Sequence, residues 1–112
     1  MHRQHLLNEL LECARPLNEL REDLAKIPWD SLELVQLRPH HVDAQLMAFT
    51  SGQRDAESIC EWANMIEGRD DIGFDPEKAS LLRDLIDELS NPDLFQNLTL
   101  ERALAMHSKL VR

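Results

Sequence analysis

The fold of this chain is decided by its N-terminal stretch LLNELLECARPLNELREDL, residues 6–24. Its apolar side chains recur at intervals of four, three, four, three and four residues, at Leu6, Leu10, Cys13, Leu17, Leu20 and Leu24. This spacing keeps one face of an α-helix apolar. Pro16 interrupts the stripe, because proline removes one helical hydrogen bond and crowds the carbonyl group of Glu12. We therefore expect residues 3–26 to form a proline-kinked helix, or two short helices meeting near Arg15, that packs on the domain's own core.

The composition of the whole chain favours helices as well. The 112 residues are 43% apolar with leucine dominant, they include no tyrosine, and only three are glycine. Strands favour the β-branched and aromatic residues that are scarce here. A chain of this length suits one domain. The predicted fold class is therefore all-α, a compact single-domain bundle of five or six helices spanning residues 1–112.

The segment from Lys26 to Leu37 lacks a helical period. It is compatible with a loop, a short strand or one further helical turn. Because no second strand candidate is found to pair with it, and an isolated strand leaves its backbone groups unpaired, we predict that residues 27–38 are irregular.

Residues 39–112 are predicted to form the helical core. Pro39 suits the first position of a helix that ends at Thr50-Ser51-Gly52. A second helix runs from about Arg54 to Glu67 and ends at Gly68. Asp75 is the expected N-cap of a third helix, with Pro76 at its first position. Asn91-Pro92 ends that helix, and Thr99 is the expected N-cap of the last one. The last helix is expected to turn inward Leu100, Ala103, Leu104, His107, Leu110 and Val111. The predicted core is Val42, Leu46, Phe49, Ile59, Ala63, Ile66, Leu82, Leu85, Ile86, Leu89 and Leu104.

Negative charge is concentrated in one central segment, residues 55–93. It holds twelve acidic residues against three basic ones, which accounts for the whole net charge of −9. Such a field repels nucleic acids and anionic membranes and attracts cationic surfaces. We therefore expect a basic protein partner, no nucleic acid and no membrane. The predicted docking residues are Glu61, Trp62, Glu67, Asp70, Asp71, Asp84, Asp87 and Glu88.

Trp62 permits two interpretations. Its helical neighbours Ile59 and Ile66 place it beside the apolar face, as expected for a core tryptophan. Glu61, however, lies on the outward side, and an aromatic side chain inside an acidic rim has the composition of an interface centre.

Metal and catalytic sites are not predicted. The loop Glu67 to Asp75 carries four acids, but Ile72 takes a ligand position of an EF-hand and the bidentate glutamate is missing. His2 and His5 share a helical face without a thiolate pair or an HExxH arrangement. Cys13 and Cys60 are expected to be buried free thiols. We expect no cofactor and no enzyme activity.

No uninterrupted apolar run suits a signal peptide or a membrane span, so a cytoplasmic setting is expected. The stretch EWANMIEGRDDIGF, residues 61–74, continuing to Asn91-Pro92 and Leu98-Thr99, resembles a group of small bacterial helical proteins. Their acidity and size are similar to those of immunity proteins, which neutralise secreted or contact-delivered toxins. The resemblance covers roughly residues 38–111.

The resemblance carries no catalytic residues. It implies a protein that binds a cognate toxin domain, typically a nuclease, before the toxin reaches its substrate. A nuclease presents a cationic groove to phosphates, and clustered carboxylates can occupy that groove. The alternative is a regulatory or scaffolding subunit of a helical oligomeric complex, which would bury an apolar stripe, such as that of the N-terminal helix, between copies.

Overall fold

Seven helices and two short strands form the described part of the chain, residues 2–28, 32–95 and 97–111, in a computed structural model. The helices are α1 (His2–Glu12), α2 (Leu17–Leu24), α3 (Pro39–Thr50), α4 (Ala56–Ile66), α5 (Ala79–Ser90), α6 (Pro92–Phe95) and α7 (Leu100–Leu110). The strands are β1 (Val35–Leu37) and β2 (Ile72–Phe74). The all-α prediction is confirmed, and the helix beyond the expected five or six is accounted for by the four-residue α6.

The N-terminal stripe forms two helices rather than one kinked helix. After α1 the chain turns at Cys13, whose φ of 51° lies in the left-handed region. The N–H of Cys13 bonds to the carbonyl of Leu10 at 3.1 Å, and the N–H of Ala14 bonds to that of Glu9 at 2.9 Å. These two bonds are those of a Schellman motif, which satisfies the last carbonyl groups of a helix. Pro16 then starts α2 as its N-cap residue.

The prediction that residues 27–38 are irregular is wrong for residues 35–37. β1 pairs in parallel with β2, in the register that sets Val35 against Ile72 and Leu37 against Phe74. The missing strand partner lies in a segment that the sequence indicated as a loop. The pairing gives the backbone of each short strand hydrogen-bond partners, which neither has alone. Residues 29–31 of the predicted irregular segment lie outside the described residues.

The helix predicted to start at Asp75 and Pro76 starts later, at Ala79. Asp75 caps a turn instead, because its carboxylate accepts the N–H of Glu77 at 3.1 Å and its carbonyl accepts that of Lys78 at 3.0 Å. The other helix ends agree with the sequence. Gly68 has a φ of 83° just after α4, as expected of a residue that ends a helix.

One apolar core joins both ends of the chain, and α4 packs mainly on α5 while α7 packs mainly on α3. Most of the predicted core residues are buried, and Phe49 lies half-buried at the edge. The predicted inward face of α7 is wrong at Leu104, which is 54% exposed, and at Leu100 and Val111, which are also exposed. The prediction is confirmed at Ala103 and Leu110, which are buried, and the helix is rotated so that Met106 is buried with them.

Candidate functional site: an acidic surface on α4 and α5

The predicted docking residues divide into exposed carboxylates and two side chains that lie in the interior. Asp84, Asp87, Glu67 and Asp70 are exposed, and Glu61 and Glu88 are partly exposed. Trp62 and Asp71 are fully buried. The exposed and partly exposed members come from α4, from α5 and from the segment that follows α4, and α4 and α5 pack against each other.

Trp62 belongs to the core and is removed from the docking surface. Its side chain has no exposed area, and its Nε1–H donates to the carbonyl oxygen of Leu10 at 2.8 Å. A buried indole with a satisfied N–H stabilises packing and offers nothing to a partner. Of the two interpretations of this residue, the structure supports the core tryptophan.

Asp71 is also removed from the docking surface, because its carboxylate lies inside an arginine pair. Arg69 donates to both of its oxygens, at 2.9 and 3.0 Å, and Arg3 donates to Oδ2 at 2.8 Å. Both arginines also donate to the carbonyl of Pro28. Burial by itself raises the pKa of Asp71, but the hydrogen bonds and charges of Arg69 and Arg3 outweigh it, so the pKa lies below its ordinary value. The cluster ties α1 to the segment between α4 and β2.

Four of the remaining carboxylates have partners within the chain. Oδ1 of Asp87 accepts from the amide of Asn91 at 3.0 Å, and Glu88 lies 3.9 Å from Nη2 of Arg102. Glu61 lies 2.7 Å from Nη2 of Arg21 on α2. Glu67 accepts the hydroxyl hydrogen of Ser90 at 3.0 Å, which joins the end of α4 to the end of α5. The pairs of Glu61 and Glu67 are at least partly exposed, so they cost little to rearrange when a partner approaches.

The carboxylates of α5 line a depression of about 290 Å³, in part charged and in part apolar, which we call the α5 depression. It is lined by Leu81, Asp84, Leu85, Asp87, Glu88, Phe95 and Lys109. Three of the predicted docking residues therefore share one surface feature. Apolar side chains beside charged groups are the composition of a protein interface, in which a desolvated centre is enclosed by polar groups.

A second cavity of about 380 Å³ opens between α4, α5, α6 and the segment before α7, and we call it the Cys60 cleft. It is lined by Ala56, Glu57, Cys60, Glu88, Leu89, Pro92, Asn97, Leu98 and Arg102. Glu88 lines this cleft as well as the α5 depression, so the two are neighbours. Sequence reasoning missed Glu57 here, although its place in the central acidic segment was a signal.

The pKa of the Cys60 thiol depends on its burial and on the charges near the cleft. Burial is the main cause of its raised pKa. A hydrogen bond from Asn64 lowers the pKa, and the carboxylates of Glu61, Asp93 and Glu57 raise it. A raised pKa disfavours the thiolate, so Cys60 is not activated as a nucleophile. Burial likewise raises the pKa of Cys13.

Within residues 2–28, 32–95 and 97–111, no three His, Cys, Asp or Glu side chains are grouped so that they could hold a metal ion. Two histidines have structural partners. Nδ1 of His107 lies 2.6 Å from Oδ1 of Asp43, joining α7 to α3. Nδ1 of His41 accepts the N–H of Arg38 at 2.9 Å, at the start of α3.

Comparison with known proteins assigns no relatives: no protein family, curated protein or solved structure matches this chain. In the part of the chain that the structure describes, no helix combines the length and the apolar character needed to cross a bilayer. The function is therefore inferred from the surface itself.

Proposed function

We propose that this protein is a stoichiometric inhibitor that neutralises a cationic toxin domain, most simply a nuclease, by docking its acidic surface on the toxin in the cytoplasm. The observation that carries the proposal is the α5 depression, where the carboxylates of Asp84, Asp87 and Glu88 outnumber the single ammonium group of Lys109 and share the lining with Leu81, Leu85 and Phe95. Carboxylates beside apolar side chains supply both the attraction that steers a cationic partner and the area that is desolvated on docking.

Two of the surviving docking residues are exposed and lie on a helix that is anchored in the core. Asp84 and Asp87 are exposed side chains of α5, whose inward residues Leu82, Leu85 and Ile86 are fully packed in the core. A surface held in this way loses little conformational entropy on binding. It also presents a fixed pattern of charge, which favours rapid association with a basic surface at low salt.

The test is inhibition of a purified cationic nuclease domain, taken from the reading frame beside this gene. Addition of the protein should abolish nuclease activity at a ratio of one to one. The double variant Asp84→Lys with Asp87→Lys should lower the association rate by about tenfold or more and reduce its dependence on salt.

The matched control is Glu12→Lys with Glu22→Lys, which changes the net charge equally through exposed carboxylates of α1 and α2. This control should retain most of the inhibition. If both double variants lose inhibition equally, overall charge and not the α5 surface determines binding. If the unaltered protein does not inhibit the nuclease, the proposed function is rejected.

A second candidate function, a scaffolding subunit, is favoured by one observation on α7. Leu100, Leu104 and Val111 are exposed on one side of this helix, with the four- and seven-residue spacing of a helical seam. The N-terminal stripe cannot serve this role, since its leucines are buried in the domain's own core. Three partly exposed side chains fall well short of the roughly 1,000 Å² that a stable interface buries. Sedimentation of a monomer at micromolar concentration supports the inhibitor, and a dimer that Leu104→Lys dissociates supports the scaffold.

A further inference from the structure

The Cys60 cleft combines an apolar floor with carboxylates at its edge. Ala56, Leu89, Pro92 and Leu98 supply most of its apolar lining. This surface lies between α4, α5, α6 and the start of α7, and the cleft has a volume of about 380 Å³. A cavity of this kind accepts a side chain that is apolar along its length and charged at its end.

The carboxylates approach the cleft from two helices. Glu57 lies in the first turn of α4 and Glu88 near the end of α5, and both line the cleft. Asp93 and Glu61 are close enough to act on the charge of Cys60. Among the residues that line the cleft, the two carboxylates of Glu57 and Glu88 outnumber the one cation, Arg102.

Arg102 is the cation that lines the cleft, and it is engaged with the protein. Its Nη1 donates to the carbonyl of Asn97 at 3.0 Å, and its Nη2 lies 3.9 Å from Glu88. The separation from Glu88 exceeds that of a hydrogen bond, so the carboxylate of Glu88 retains acceptor capacity. Arg102 thus shapes the wall and leaves the cleft net negative.

We propose that the Cys60 cleft is a binding pocket for one arginine side chain of the cationic partner. The stem of the arginine packs on Leu89, Pro92 and Leu98, and its guanidinium group donates to Glu57 and Glu88. The planar guanidinium has five donors and can bridge two carboxylates, whereas an ammonium acts as a single charged point. Arginine is also enriched among the side chains that dominate interface energetics. This assignment rests on the proposed function, since it names the chemistry by which the acidic surface recognises its partner.

The first experiment uses N-acetyl-arginine amide as the probe, with the amide resonances of isotope-labelled protein as the readout. Binding is expected with a dissociation constant of about 1–10 mM, as for other ligands of this size. The shifts should be centred on Cys60, Leu89 and Leu98. N-acetyl-citrulline amide, which has nearly the same shape without the charge, should produce none of them.

The double variant Glu57→Gln with Glu88→Gln should weaken binding by roughly 3- to 10-fold, as expected for two partly exposed ion pairs. The matched control is Glu77→Gln, an exposed carboxylate in the turn before the opposite end of α5. It should leave the titration unchanged. Equal shifts with the citrulline probe, shifts centred elsewhere, or an unaltered affinity of the double variant would each overturn the proposal. Equal affinity for N-acetyl-lysine amide would overturn the specificity for arginine.

The two free cysteines provide a second readout in the same molecule. Cys60 lines the cleft, and Cys13 lies at the turn between α1 and α2. Saturating N-acetyl-arginine amide should slow alkylation of Cys60 by iodoacetamide and leave that of Cys13 unchanged. Equal effects on both thiols would contradict occupancy of the cleft.

Failure of this inference can be distinguished from failure of the proposed function. If the Glu57 and Glu88 double variant inhibits the cationic nuclease domain with unchanged affinity, while the Asp84 and Asp87 variant does not, the cleft assignment is overturned and the proposed function stands. If no inhibition is observed with the unaltered protein, the proposed function fails, and the titration with the arginine probe decides separately whether the cleft binds a guanidinium group.

Discussion

The indole N–H of Trp62 donates to the main-chain carbonyl of Leu10 at 2.8 Å, across 52 residues of sequence. The bond fastens α4 to the last turn of α1. The sequence pattern left two positions open for Trp62, in the core or at the centre of an acidic interface. This hydrogen bond holds the side chain in the core. The proposed docking surface consists instead of the exposed and partly exposed carboxylates of α4, of α5 and of the segment that follows α4.

Trp62→Phe should destabilise the protein by about 2–4 kcal/mol, because it removes a buried hydrogen bond and leaves part of the indole volume empty. The measurement is the free energy of unfolding in urea, with circular dichroism to establish that the helices persist. A change below about 0.5 kcal/mol, the range of ordinary surface substitutions, would contradict the buried position.

Asp71→Asn should cost about 3–5 kcal/mol, since it leaves Arg69 buried beside a neutral amide. Asp70→Asn is the matched control: it makes the same change at the adjacent, exposed carboxylate and should stay within about 0.5 kcal/mol. The lowered pKa of Asp71 means that its contribution is present above the pKa of the unfolded chain and is lost as the pH falls through the folded value. Similar costs for the two variants would exclude a structural role of the arginine cluster.

Cys13→Gly should be more stable than Cys13→Ala by about 1 kcal/mol. Both variants lose the thiol, but alanine retains the steric cost of the left-handed φ of 51° and glycine does not. Comparing the two variants by thermal and urea unfolding isolates the backbone contribution. Equal stability of the two variants would show that this turn is not strained.

The stability of the protein should fall as the pH is lowered from about 6.5 to about 4, through the titration of His41. Burial, together with the charges of His40 and Arg38, lowers the pKa of His41 to about 4 from an ordinary value of 6.5. The unfolded chain therefore binds a proton in this range that the folded chain does not bind, which lowers stability by about 2–3 kcal/mol. Protonation also converts Nδ1, which accepts the N–H of Arg38, into a donor.

His41→Gln should flatten this pH dependence, because glutamine at the third helical position can accept the same N–H without titrating. His5→Gln is the control, since the side chain of His5 is largely exposed and should leave the profile unchanged. Urea unfolding at several pH values between 4 and 7 measures the slopes. A slope in the His41→Gln variant equal to that of the unaltered protein would assign the dependence to other groups.

Local signals predicted much of the helical fold. Thr99, the predicted N-cap of α7, accepts the backbone N–H of Arg102, and α4 starts at Ala56, two residues from its predicted start. For α5 the periodicity predicted the buried face correctly. The apolar residues of its inward face, Leu82, Leu85, Ile86 and Leu89, all lie on one side of the helix and are buried. The periodicity failed for α7, whose apolar residues are spread widely enough around the helix to permit two orientations, and packing against α3 selected the one that leaves Leu104 exposed.

The sequence by itself determined the helical class, the positions at which most helices end and the concentration of negative charge in residues 55–93. These properties depend on groups within a few residues of one another, such as a cap and its N–H or the side chains of successive turns. Only the tertiary structure decided that β1 pairs with β2, that Asp71 faces Arg3 and that Asp84 and Glu88 share one depression. Each of these relationships joins separate elements of the chain, and their partners are selected by core packing and by the need to satisfy buried polar groups.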